Sequence, residues 1–169
     1  MKTLFTAIIA LAALSMNAQN KIGHINSLEL LNLMPEVQQA DAQLKELQTA
    51  LQQQYNSYVT EYQTKVNEYN ANAGTWGEVQ LEAAEQDIAS LQQRITDFES
   101  SSQQKLETRR QELYDPILQK ANTTIEEVGK DGKFTYIIDT SSGSLVFMGE
   151  DMIDALPLVL KKLGIEQSK

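Results

Sequence analysis

The sequence predicts an α+β protein with a long antiparallel helical hairpin and a small β-containing body. Residues 36–69 contain neither Pro nor Gly, and their apolar positions recur with a helical period. A turn with two glycines at 71–77 separates this stretch from a second helical stretch of about fifty residues. Short β-branched segments lie near the two ends of the remaining chain, at 21–27 and 134–148.

A secretory signal peptide is predicted at residues 1–18. Lys2 gives a positive start, an apolar run extends from Leu4 to Leu14, and small or polar residues lead to Ala18. The run is too short to cross a bilayer core of about 30 Å. A buried N-terminal helix is the alternative interpretation. Cleavage near Ala18 would leave an exported chain without stable membrane insertion.

Composition and charge exclude several classes of protein. The chain of 169 residues has 14 basic and 23 acidic residues, a net charge of −9, one His and no Cys. The leader contains Lys2 and no acidic residue, so the mature chain carries −10. Nucleic-acid binders cluster Lys and Arg to neutralise phosphates, so no nucleic acid is expected as a partner. The absence of Cys excludes disulfides, thiolate zinc sites and Cys-linked lipid anchors.

No enzyme motif emerges from the sequence. There is no nucleophile, metal-ligand or phosphate-loop pattern, so no catalytic residue, metal or cofactor is expected. Asp139, Asp151 and Asp154 lie at a predicted strand end and near a helix start, where Asp is a good capping residue. The chain is therefore expected not to be an enzyme.

The first helix of the hairpin carries one apolar stripe. Its members are three or four residues apart, and residues eleven apart repeat, which corresponds to about 3.67 residues per turn. Such a stripe stays on one face of a nearly straight or slightly right-handed helix. Pro35 suits the first turn of this helix. From Leu44 onward the stripe consists of Leu44, Leu47, Leu51, Tyr55, Tyr58, Tyr62, Val66 and Tyr69.

The second helix carries a heptad seam and returns antiparallel to the first. Steps of three and four alternate along the seam, which continues less regularly to Val128. Gly129 is predicted to end the helix, so the hairpin arm spans residues 35–128. Pro116 is predicted to kink the arm, the alternative being a junction of two helices. The regular part of the seam comprises Leu81, Ala84, Ile88, Leu91, Ile95 and Phe98.

The two ends of the mature chain, 19–34 and 129–169, are predicted to form one body. Residues 21–27 are interpreted as a strand, with Ser27 capping a brief helix. Segments 134–139 and 144–148 are predicted to form a β-hairpin.

The C-terminal part of this body is predicted to be helical. Residues 150–163 form the helix, Pro157 splits it into two turns, and Gly164 caps its end. A core of about fifty residues is marginal alone and leaves strand edges uncovered, so oligomerisation is expected. The residues assigned to this oligomerisation body are Ile22, Ile25, Tyr136, Ile138, Val146 and Phe147.

The order of these segments resembles the Skp (OmpH-like) periplasmic chaperones of Gram-negative bacteria. The resemblance rests on Lys-Ile-Gly-His-Ile-Asn at 21–26, the long hairpin with Pro116 in its returning helix, and Tyr-Ile-Ile-Asp at 136–139. The stretches at 144–147 and 151–163 complete it. The resemblance implies a homotrimer whose three arms enclose a cavity. It also implies a periplasmic holdase that binds unfolded outer-membrane β-barrel proteins without ATP.

The acidic charge departs from the best-known members of that family, which are basic. The family has been linked to lipopolysaccharide through basic arm residues. Here Arg109 and Arg110 form the only arginine pair, with Glu107 and Glu112 close by, so no lipopolysaccharide site is carried over. The alternative function is a non-catalytic coiled-coil structural or adaptor protein of the cell envelope.

The aromatic residues of the arm have two interpretations. Tyrosine combines an apolar ring with a hydroxyl that tolerates water, which suits contact with many unfolded chains. The competing interpretation is that the tyrosines form the hairpin seam, since stripes at helical spacing usually pack. The candidate client-contact residues are Tyr55, Tyr58, Tyr62, Tyr69 and Trp76.

Overall fold

The computed structural model describes residues 21–143 and 145–166, so the predicted signal peptide lies outside the described residues. The elements in chain order are β1 (Ile22–Ile25), α1 (Ser27–Leu33), α2 (Pro35–Asn72), α3 (Glu78–Asp131), β2 (Tyr136–Asp139), β3 (Ile153–Asp154) and α4 (Leu156–Leu163). The chain divides into two compact units. Residues 36–117 form the hairpin unit, and the described parts of 21–35 and 118–166 form the body unit. The predicted domain boundaries stay predictions.

The two long predicted helices are confirmed. Helix α2 has 38 residues and α3 has 54, which corresponds to lengths of about 57 and 81 Å. Side chains of α2 and α3 meet in antiparallel order: Asp41 contacts Tyr114 near the start of α2, and Tyr69 contacts Glu85 near its end. The outer faces of both helices are polar, so the apolar stripe of α2 and the heptad seam of α3 pack against each other.

Helix α3 continues through both residues that were predicted to disturb it. Pro116 lies inside the helix, so the alternative of two helices meeting there is wrong, while the kink stays a prediction. The predicted end at Gly129 is also wrong, because the helix extends to Asp131. The termination is a Schellman motif in which Lys133, at φ 53°, takes the left-handed position that glycine usually occupies. The Phe134 N–H donates to the Gly129 carbonyl at 2.9 Å, and the Lys133 N–H donates to the Lys130 carbonyl at 3.1 Å.

The sheet of the body unit is parallel and has the strand order β2-β1-β3. Ile22 pairs with Tyr136 on one side of β1, and His24 pairs with Asp154 on the other. The predicted β-hairpin of 134–139 with 144–148 is therefore wrong. Residues 145–148, including Val146 and Phe147, belong to no strand, and β3 takes the second edge of β1. The residue pattern indicated extended backbone but could not identify its pairing partner.

Two helix starts in the body unit also differ from the prediction. The cap of α1 is Asn26, whose side chain accepts from the Glu29 N–H at 3.2 Å, whereas Ser27 is the first helical residue. The predicted helix at 150–163 is confirmed only from Leu156 onward. The prediction that Pro157 splits this helix is wrong, because Pro157 lies in its first turn, where the missing N–H costs no helical hydrogen bond. Gly164 ends it in the left-handed conformation, φ 73°, as predicted.

The body unit has a small apolar core. Its five largest fully buried side chains come from β1, from α1 and the residue after it, and from α4. This burial is the main stabilising term that the unit provides for itself. The five residues are Ile25, Leu30, Met34, Val159 and Leu160.

Candidate functional site

The hairpin seam contains an aromatic centre on α2 and α3. The rings of Tyr58 and Phe98 meet edge to face, with 5.2 Å between centroids and 85° between planes. The guanidinium carbon of Arg94 lies 4.7 Å from the centroid of the Tyr58 ring and the same side chain pairs with Glu61. Tyr58 thus contacts an apolar ring and a cation of the opposite helix.

Other arm tyrosines also direct their hydroxyl groups to α3. The Tyr69 hydroxyl donates to Glu85 Oε1 at 2.6 Å, and this bond raises the pKa of Tyr69 above its ordinary value. A hydrogen bond to Glu99 raises the pKa of Tyr55 in the same way. Each ring is half-buried, as is that of Tyr62. These contacts are those that the seam interpretation predicts, and client contact by the tyrosines stays a prediction.

Tyr114 is a seam residue that the apolar period did not identify. Its hydroxyl donates to Asp41 Oδ1 at 2.5 Å, and this bond raises the pKa of Tyr114. Arg109 binds Gln43 of α2 at 2.9 Å and Glu112 of its own helix at 2.9 Å. Hydrogen-bonded pairs such as these do not show in the apolar periodicity of the sequence, because their residues lie beside the apolar stripe of α2 and not in it.

A groove with an apolar floor follows one side of the seam in the half of the hairpin unit that lies away from the turn. Two adjoining hollows of ≈ 470 and ≈ 770 Å³ share Gln48, Gln103 and Leu106 and together form the groove. Its floor consists of Leu44, Leu51, Tyr55, Phe98 and Leu106, all half-buried, and its rim of Gln48, Gln52 and Gln103, all exposed.

The opposite side of the seam has a different lining. A hollow of ≈ 600 Å³ there has Leu47 from α2 and mostly polar or charged residues from α3, among them Gln104, Lys105 and Arg109.

The turn of the hairpin has an apolar residue in contact with solvent. Val79 is 80% exposed, whereas Trp76 is half-buried. The backbone N–H of Trp76 donates to the Asn72 carbonyl at 2.9 Å, which fixes the turn. From residue 66 to residue 93 the chain carries five carboxylates and no Lys or Arg.

The body unit presents a group of exposed apolar side chains. Val146 is 99% exposed and Phe147 is 83% exposed, and both follow β2. Tyr136 and Ile138 are exposed on β2 itself, while Ile22 is half-buried and Ile25 is buried in β1. Large exposed apolar side chains are typical of interaction surfaces when they form a patch.

Asp139 joins the end of β2 to the start of α1. Its carboxylate accepts from the Ser27 hydroxyl at 2.6 Å and from the Ser141 N–H at 2.9 Å, with a further bond from the Ser27 N–H. Asp154 similarly accepts from the Leu156 N–H at 2.9 Å, at the first residue of α4. Both carboxylates thus bind a backbone N–H at the start of a helix, which is a structural role.

Across 21–143 and 145–166, no group of three His, Cys, Asp or Glu side chains is placed to hold a metal ion. Among the helices of the same residues, none has the length and apolar character needed to cross a bilayer.

A family model described as Outer membrane protein (OmpH-like) matches residues 21–163. The chain belongs to the OmpH-like family. The predicted resemblance to Skp (OmpH-like) proteins is thereby confirmed. The match includes the long helices, the parallel sheet and α4, so it extends over both units.

A solved structure also resembles this OmpH-like chain. It is a candidate outer membrane chaperone (OmpH-like) from Caulobacter crescentus CB15, with a TM-score of 0.67 and 20% sequence identity. The alignment covers 86% of this chain and 85% of that one, and it supports a shared fold. No curated protein matches the OmpH-like chain.

Proposed function

We propose that this OmpH-like protein is an ATP-independent holdase chaperone of the periplasm. Its clients would be unfolded outer-membrane β-barrel proteins, held in a cavity between helical arms. The observation that carries the proposal is the family match over residues 21–163. The description of the Caulobacter crescentus protein as a candidate outer membrane chaperone agrees with it.

The hairpin unit supports a binding role. A two-helix hairpin buries only a narrow seam, so most of its length stays in contact with solvent and accessible to other chains. Half-buried apolar groups such as Leu51 and Leu106 occur beside exposed amides. Weak contacts of mixed polarity spread over a long surface suit a protein that must bind many sequences without fixed register.

The exposed apolar surface of the body unit supports assembly into a homotrimer. In one chain Phe147 and Val146 are largely in water, and β2 and β3 are both edge strands. Burying such groups between copies would stabilise the assembly by roughly 25 cal/mol per Å² of apolar area. Three copies would also supply the three arms that a cavity requires.

The acidic charge is compatible with a chaperone that stays dispersed. A mature chain of −10 repels its own copies at long range and favours solubility. The distal hairpin, residues 66–93, is purely acidic in its charged groups. Lipopolysaccharide binding forms no part of the proposal.

The proposal is tested with the mature protein and an unfolded client. A β-barrel membrane protein in urea is diluted into buffer with and without the chaperone, and light scattering is followed in the absence of ATP. We expect soluble client at a ratio of one trimer to one client, and a mass in solution of three chains. A monomer that leaves the client to aggregate would overturn the proposal and favour the adaptor alternative.

A further inference from the structure

We draw no further inference here: the strongest candidate, the exposed apolar segment of the body unit at Val146 and Phe147, belongs to the surface already described for assembly between copies of this chain.

Discussion

The ring of Tyr58 on α2 meets the ring of Phe98 on α3 edge to face, with 5.2 Å between their centroids. This contact joins two apolar patterns with different repeats. Tyr58 belongs to the stripe of α2, which repeats every eleven residues, and Phe98 ends the regular part of the heptad seam of α3. The seam residue before Phe98 is Ile95, which is only 7% exposed. The aromatic pair therefore continues the packed seam of the hairpin, while Phe98 also lines the adjoining hollow.

Replacing either ring should destabilise the hairpin, and the two effects should not add. Tyr58→Ala and Phe98→Ala are each expected to lower the free energy of unfolding by about 1–3 kcal/mol, because both rings are half-buried. An edge-to-face pair contributes about 0.5–1.5 kcal/mol beyond its area, so the double variant should lose less than the sum. Urea unfolding of all four proteins measures this coupling. Val79→Ala, at a position 80% exposed, is the control and should change stability by less than about 0.5 kcal/mol. Strict additivity would contradict the contact.

The long helices were predictable because every turn repeats the same information. The stripe from Leu44 to Tyr69 and the seam from Leu81 to Phe98 each specify a helix face many times over. One wrong residue changes little in such a pattern. The ends of the helices were less certain, because Asn26 and Ser27 are adjacent and both are good caps. In the structure Asn26 has extended backbone and accepts from the Glu29 N–H, while the Ser27 hydroxyl binds Asp139 instead.

The pairing of the strands was not predictable from local pattern. Gly23 in β1 pairs with Ile153 in β3, far away along the chain, while 145–148 stays outside the sheet despite its β-branched and aromatic residues. A strand pattern specifies which face is apolar and leaves the partner open. The groove was missed for a similar reason, since its depth depends on how Leu51 and Leu106 meet across two helices.

Asp139→Asn should weaken the body unit in a pH-dependent way. Burial alone would raise the pKa of the Asp139 carboxyl, but hydrogen bonds from Ser27 and Ser141 together hold it below its ordinary 3.8. Because the pKa of this carboxyl is lower in the folded than in the unfolded protein, it adds stability at pH values above its unfolded-state pKa. That stability is lost as the pH falls through its folded-state pKa. We expect a loss of about 1 kcal/mol at pH 7 that shrinks below pH 3.8.

Urea unfolding of wild type and Asp139→Asn at pH values from 7 to below 3.8 measures how the stability difference between them depends on pH. Asp151→Asn is the control, since Asp151 is exposed in the same unit and makes no hydrogen bond with the described residues. A difference between wild type and Asp139→Asn that is constant with pH would show that the charge of the carboxylate does not contribute.

Lys162→Ala should lower the thermal stability of the body unit, with the opposite dependence on pH. The Lys162 ammonium lies 2.7 Å from Asp131 Oδ2 and 3.0 Å from Glu127 Oε2. Hydrogen bonds to Asp131 and then Glu127 raise the pKa of Lys162 above 10.5. Because the pKa of Lys162 is higher in the folded than in the unfolded protein, the ammonium adds its full stability at pH values below its unfolded-state pKa. That stability disappears as the pH rises through its folded-state pKa.

The melting temperatures of Lys162→Ala and wild type should therefore converge above pH 10.5 and also at high salt, because these charges are exposed. Lys161→Ala is the matched control, since Lys161 is exposed and its side chain contacts neither carboxylate. An equal loss for both lysines would indicate that helix α4 responds to the substitution itself and not to the ion pairs.

Gly132 should not tolerate a methyl group, whereas Gly77 should. A Cβ on Gly132 would lie 2.6 Å from Phe134 Cε2 and 2.9 Å from the Val128 carbonyl oxygen. The ring has little freedom to move, because Lys21 lies 4.1 Å over it and also donates to the Gly132 carbonyl at 2.8 Å. Overpacking of this kind costs about 1–3 kcal/mol.

Gly77→Ala is the matched control for this change. No atom lies within 4 Å of a Cβ at Gly77, and its φ is not positive. Alanine there reduces the freedom of the unfolded chain, which adds up to about 1 kcal/mol of stability. Gly77 also precedes α3 as its N-cap, since its carbonyl accepts from the Leu81 N–H at 3.1 Å, and alanine is a poorer N-cap by a similar amount. Urea unfolding should thus place Gly77→Ala within about 1 kcal/mol of wild type and Gly132→Ala clearly below. If both variants were as stable as wild type, Phe134 would have to move without loss, and its packing between Lys21 and Gly132 would not stabilise the end of α3.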